Sequence, residues 1–130
     1  MNLIKNYATT LYNWLRSVAG VDVFREPVQF DEDDPQPNEY ITYSANVGNF
    51  ATEFLQPITI YSKSTGWTKV MEIVDAIEST ITEKGVKVVS EWGIITIHKG
   101  NPFVQDKADE DSSYRSAYIN LSIKIYQKEV

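Results

Sequence analysis

Apolar and polar positions alternate without a break along the end of the chain, AYINLSIKIYQKEV. Ala117, Ile119, Leu121, Ile123 and Ile125 fall on one side of an extended backbone, and Tyr118, Asn120, Ser122, Lys124 and Tyr126 on the other. Period two is the mark of a half-buried strand. From about residue 115 to 127 it would run roughly 40 Å at about 3.3 Å per residue. Ordinary strands are about five or six residues long. The excess length points to a strand that serves more than its own small sheet.

Two other stretches follow the helical period. Over residues 3–18, Ile4, Tyr7, Ala8, Leu11, Leu15 and Val18 share one face, with Leu3 and Trp14 flanking it and Gly20 as the stop. Over residues 67–84, Val70, Ile73, Val74, Ile77 and Ile81 do the same, with Ser64 or Thr65 as cap and Gly85 as the close. Between these helices, residues 39–44 (EYITYS) and 53–62 (EFLQPITIYS) alternate and pair as a hairpin. Pro57 cannot donate a ladder hydrogen bond, so the second of these strands is expected at an edge or with a bulge. Residues 21–24 form a short strand, and 86–90 with 94–98 two more around Trp92-Gly93. Gly100-Asn101-Pro102 reads as a turn. If the strands flanking the second helix are parallel neighbours, their crossover is right-handed.

The expected architecture is a single α+β domain over 1–130. Its two amphipathic helices pack as one layer on a four- to five-stranded, mostly antiparallel (mixed) sheet. Proline and acid stretches mark loops at about 27–38 and 104–114.

Composition sharpens this picture at two points. The chain has no cysteine, which excludes a disulfide scaffold, a thiolate zinc site and thiol catalysis. Net charge is −6, unevenly spread. Asp31, Glu32, Asp33 and Asp34 carry −4, and Asp106, Asp109, Glu110 and Asp111 against Lys107 carry −3, leaving the remainder at +1. A surface that grips phosphates needs the opposite sign, which argues against specific nucleic-acid binding. The first twenty residues are broken by Lys5, Asn6, Asn13 and Arg16 and do not read as a signal peptide. No stretch approaches the ~18 apolar residues of a membrane span.

Candidate chemistry is sparse. His98 is the only histidine, with no nucleophile or orienting partner in any recognisable spacing, and reads as a structural or surface residue. The acidic runs miss the calcium-loop pattern. The sixth position from Asp31 is Gln36, and the third from Asp106 is Ala108. They read as solvated loops. Trp14, Trp67 and Trp92 lack interleaved basic residues and read as core or core-edge rather than as a stacking platform. No phosphate loop, dinucleotide fingerprint or serine elbow is present. No cofactor or metal is expected.

From Glu39 onward the chain resembles a known family. EYITYS, FLQPITIYSKSTGWTKVMEIVDAIE, the Gly-Asn-Pro turn and the last alternating strand are similar to the tail terminator (tail completion, minor structural) proteins of long-tailed bacteriophages. The resemblance covers about two-thirds of the chain, and the loop at 27–38 lies outside it. It implies a non-enzymatic virion protein of the tail or neck, assembled in the host cytoplasm. Such a protein forms a hexameric ring that caps the tail tube, and its partners are itself, the tail tube protein and the head-tail connector. DNA passes through without being bound, and no membrane is involved. In such a ring, Tyr118, Asn120, Ser122, Lys124 and Tyr126 are candidates for the subunit interface. Asp106, Asp109, Glu110 and Asp111 are candidates for a channel-facing acidic loop. Three other readings stay open: a protein-binding module that uses an exposed edge strand, another neck component, and a small enzyme with Asp75 or Glu78 beside a second carboxylate.

Overall fold

The computed structural model describes residues 3–45, 47, 52–107 and 113–128. Its elements in chain order are α1 (Leu3–Ala19), β1 (Asp22–Arg25), β2 (Glu39–Tyr43), β3 (Phe54–Lys63), α2 (Thr68–Glu78), β4 (Val86–Val89), β5 (Gly93–Lys107) and β6 (Tyr114–Gln127). The six strands form one sheet in the order β1-β2-β3-β6-β5-β4. This is one strand more than the upper expectation. All six segments read as strands join the sheet, the short β1 and β4 as its two edges with four register pairs each.

The last strand is central. β6 pairs with β3 from Tyr114 to Ile123 and with β5 from Ser116 to Gln127. The alternation read in the sequence is the alternation of the sheet. Ala117, Ile119, Leu121, Ile123 and Ile125 are all buried beneath the helices, with cross-strand partners such as Ile58, Ile95 and Ile97. Tyr7, Leu11 and Leu15 of α1 and Val70, Val74 and Ile77 of α2 close this core from one side. Two hydrogen bonds tie α1 to the sheet. Tyr7 donates to Gln56 Oε1 at 2.8 Å and Tyr43 donates to the Ala8 carbonyl at 3.1 Å. Burial raises the ionisation of both phenols above the ordinary 10.0, Tyr7 the more strongly.

Several boundaries differ from the sequence reading, each for a local reason. α2 stops at Glu78, not near 84, because Ser79 and Thr80 turn their hydroxyls onto the Ala76 and Ile77 carbonyls and the chain tightens into shorter-range backbone bonds. Ile81 still reaches the core from the segment that follows, so the apolar stripe runs on past the end of the helix. Trp67 holds the N-cap position with no side-chain cap bond, so neither Ser64 nor Thr65 caps the helix. Pro57 lies neither in an edge strand nor in a bulge. β3 is interior, and Pro57 sits one residue beyond the last β2 partner, where the strand has lost that neighbour. β3 and β4, the strands flanking α2, are not neighbours, so no parallel crossover arises there.

The parallel pair is instead β1 and β2. Parallel neighbours need a crossover of about a dozen residues or more, and the proline-rich acidic segment between Arg25 and Glu39 supplies it. It crosses the sheet face opposite the helices.

Two predictions follow from the core. Ile77→Asp buries an unpaired carboxylate at a fully buried position, a cost of several kcal/mol and comparable to the stability of a small domain. It should abolish cooperative melting. Tyr7→Phe removes the buried hydrogen bond to Gln56 Oε1 and should cost about 0.5–1.5 kcal/mol in chemical denaturation at neutral pH. Because the folded Tyr7 ionises above the unfolded phenol, its contribution is complete below about pH 10 and declines as pH rises beyond it. The gap between wild type and Tyr7→Phe should therefore narrow in alkali, and a gap that widens above pH 10 would contradict the burial.

Candidate functional site

The sheet face away from the helices is divided in two. Over β1, β2 and the adjoining part of β3, the segment 26–38 lies as a strap held by aromatic side chains. Phe30 packs edge-on to Phe24 at 5.4 Å and to Tyr40 at 5.3 Å, and Tyr40 stacks on Tyr61 at 4.6 Å. Tyr114 donates to the Pro37 carbonyl at 2.8 Å, and Gln36 donates to the Tyr40 hydroxyl at 2.8 Å. At the strap's start, Thr42 and Ser44 donate to the two Glu26 carboxylate oxygens at 2.9 and 3.0 Å. Beside it lies an open groove of about 630 Å³ lined by Glu26, Phe30, Thr42 and Tyr61 among others. Asp31, Glu32, Asp33 and Asp34 stand exposed on the strap.

The other half of this face carries no such cover among the described residues. It is built from β6, β5, β4 and the first residues of β3. Tyr118, Asn120, Ser122, Lys124 and Tyr126 all project from it, so the five candidate interface residues do share one face, opposite the buried odd-numbered row. Register adds residues that the sequence reading passed over. Val89, Ile94 and Tyr126 form one cross-strand row, Lys87, Thr96 and Lys124 the next, and His98, Ser122 and Leu55 a third. Exposure reaches 72% at Val89, 49% at Leu55 and 47% at Tyr126. Among the described residues seven large hydrophobic side chains stand exposed, and four of them (Leu55, Val89, Tyr118 and Tyr126) lie on this face. The signal was present as alternation in 86–89 and 94–98, but only register shows that these residues extend the β6 row.

The main chain of β6 offers less than its length suggested. It is paired on both sides over 116–119 and 121–123; among the described residues it lacks a β3 partner over 124–127 and a β5 partner at 114–115 and at Asn120. Its outward contribution is made by side chains.

Gly-Asn-Pro is not a turn. It lies inside β5, where residues 100–103 oppose the single residue Asn120 between the Lys99–Leu121 and Val104–Ile119 pairs. Four residues against one is an excess of three, and an odd excess reverses which side chains face which way. Lys107, which would otherwise have pointed to the helix side, is turned outward. Its Nζ lies 5.5 Å from the Tyr61 ring centre and 4.9 Å from that of Tyr118, a cation held between two aromatic faces. Burial pulls its ionisation down, but Tyr61 and Tyr118 act the other way and leave it above the ordinary 10.5. Gly100 is required here by close approach, since a Cβ would come within 2.8 Å of the Asn120 Cβ and carbonyl oxygen. Asn120 fastens the bulge by donating to the Pro102 carbonyl at 2.9 Å.

Asp106 is exposed on β5, where its register partner Ala117 places it on the helix side of the sheet. Asp109, Glu110 and Asp111 lie outside the described residues. His98 stands against Gly85, which has a φ of 78° and no room for a side chain, and its Nδ1 is buried without a hydrogen-bond partner. Glu78 pairs with Lys99, and no group of three or more metal-ligating side chains occurs among the described residues. No helix among them is long and apolar enough to cross a membrane. Trp14 belongs to the core, Trp92 donates to Thr10 Oγ1 at 3.0 Å, and Trp67 is exposed beneath Arg115.

No protein-family model and no curated protein sequence matches the chain. A solved structure does. A chain in the virion of a native gene transfer agent particle superposes with a TM-score of 0.61 at 12% identity, covering 88% of this chain and 84% of that one. The fold is thus one found in a virion component.

The face and the fold are separable by mutation. Val89→Ser and Tyr126→Ser should each change stability by no more than about 0.5 kcal/mol, as expected for exposed sites. Gly100→Val should cost well over 1 kcal/mol, because backbone must shift to admit it. Denaturation midpoints measure both, and a large loss in the two serine variants would mean that this face is covered within the monomer.

Proposed function

We propose that the protein is a non-enzymatic virion structural protein that terminates the tail. As a six-membered ring it would cap the tail tube and present the surface on which the head docks. The shared fold with a gene transfer agent virion chain carries this reading, and the resemblance of residues 39–130 to tail terminators supports it. The bare half-face, with Tyr118, Asn120, Ser122, Lys124 and Tyr126 at its centre, is the proposed contact between subunits. Tail tube protein and head-tail connector are the proposed partners, in a virion assembled in the host cytoplasm. An exposed edge-strand binding module and another neck component are the competing readings.

Loss of the protein from the particle-producing genome separates these. Under the terminator reading, tails should reach irregular lengths and remain unjoined to filled heads in negative-stain images, and resupply of the protein should restore both. Tails of uniform length without it would sink the reading. Purified protein should be monomeric or weakly associated at micromolar concentration, since early rings would compete with tail growth. A tight dimer with no larger species at any concentration would count against the ring.

Asp106 near the end of β5 and the acidic residues that follow it in sequence suggest a further role within this reading. Duplex DNA carries about one negative charge per 1.7 Å, and repulsion acting over about 8 Å would keep a passing duplex from adhering. Replacing Asp106, Asp109, Glu110 and Asp111 with lysine should leave stability nearly unchanged, because exposed charges such as that of Asp106 contribute little. It should slow DNA ejection from assembled particles. Ejection at the normal rate would show that this loop does not line the channel.

A further inference from the structure

The two halves of the outer sheet face are chemically opposite. From Asp22 to Glu39, the first residue of β2, the sequence holds seven carboxylates and one cation, Arg25, a net −6 of which Asp31, Glu32, Asp33 and Asp34 on the strap supply −4. Neither ion pair of the described residues neutralises Asp31, Glu32, Asp33 or Asp34. On the bare half the sign is reversed. Lys87 and Lys124 stand in one cross-strand row with Thr96 between them, and Lys107 is turned onto the same face by the β5 bulge. None of the described outward-facing strand positions there is acidic; Glu53, just before β3, accepts from Ser122 at 3.0 Å and is one carboxylate against these three lysines. Interleaved with the lysines is the exposed apolar set of Val89, Tyr118 and Tyr126.

We propose that the bare half-face receives the acidic strap of a second copy of this chain, in a head-to-tail contact. Carboxylates of the incoming strap would meet Lys87, Lys124 and Lys107, while Val89 and Tyr126 are buried against its proline-rich flanks. Apolar centre with charged surroundings is the usual anatomy of a specific interface. Complementary potentials fix register and speed encounter more than they add raw affinity, which suits a contact that is weak in free subunits and strengthens on a template. The two surfaces are different, so each copy offers its strap to one neighbour and its bare face to the next, a heterologous arrangement able to close as a ring. This names the counter-surface for the subunit contact and so rests on the terminator reading.

The test is a charge swap read by sedimentation and native mass spectrometry at high protein concentration and low salt. The strap variant is Glu32→Lys, Asp33→Lys, Asp34→Lys. It keeps Asp31, whose carboxylate accepts from the backbone of Asp33 and Asp34 at 3.0 and 2.8 Å and holds the turn. The face variant is Lys87→Glu, Lys124→Glu. Each alone should weaken self-association at least about tenfold, added salt should weaken the wild type, and the two sets combined in one chain should restore association. Unchanged thermal melting in all three confirms that folding is not the cause. Wild type that associates while the strap variant associates equally well overturns the contact, as does a combined variant as weak as its parents. So does association that stops at a closed two-fold pair, or a wild type that stays monomeric at the highest attainable concentration. That last result leaves tail length in particles lacking the protein as the separate measure of the terminator reading.

Discussion

Everything in this molecule hangs on the central position of β6. Five of its side chains, Ala117, Ile119, Leu121, Ile123 and Ile125, enter the core in a single row, and both of its edges are occupied by long neighbours. Full burial of an Ile or Leu side chain contributes about 1.5–3 kcal/mol, so the four large residues of this row rank among the main stabilising contributions in a domain of this size. A slip of one residue would send all five to the open face and bring Tyr118, Lys124 and Tyr126 into the core. Register is therefore fixed by β6, and β3 and β5 inherit theirs from it.

The second face follows from topology. Placing β1 parallel to β2 obliges the chain to travel back along the sheet before starting β2, and both helices lie on the opposite side. The return path thus becomes the strap, and its prolines suit an irregular path in which few backbone donors meet a ladder. Phe30 and Pro37 dock it onto Phe24, Tyr40 and Tyr114. The strap reaches only as far as the β3–β6 boundary, so the remaining half of the sheet keeps its outward side chains uncovered. A two-layer fold with half of its second face bare is the direct consequence of one short parallel pair.

What the sequence disclosed and what it hid divide along the same line. Strict periodicity revealed α1, β6 and the β2–β3 hairpin, because there a single repeat runs unbroken into a single core. Periodicity failed where side chains kept their pattern while the backbone changed. Ile81 extends the α2 stripe from the segment after the helix, and the 100–103 bulge hides the second half of β5 by reversing its parity. Phe30, alone among prolines and acids, has no period to join, so the strap read as a solvated loop. The five outward residues of β6 were legible. Val89, Ile94 and Lys107 were not, because their membership of that face depends on pairings between distant segments.

A bare sheet face and an open sheet edge invite different partners, and the details of β5 favour the face. Beyond β4, residues 98–107 of β5 have no outer strand neighbour among the described residues, which makes them the natural place for a peptide to add as a strand. That stretch is nevertheless poorly suited to pairing. Pro102 has no N–H, the bulge breaks the ladder across four residues, and Lys99 and Lys107 bracket it. Proline, bulge and lysine are the devices by which sheets keep their edges from pairing. Nothing comparable protects the face, where Val89, Tyr118 and Tyr126 stand exposed around lysines that the strap's carboxylates could match. A protein evolved to bind through its edge would be expected to show the reverse: a regular open strand, and a face covered or made uniformly polar. The blunted edge and the bare face together favour packing of subunit against subunit over capture of an extended peptide.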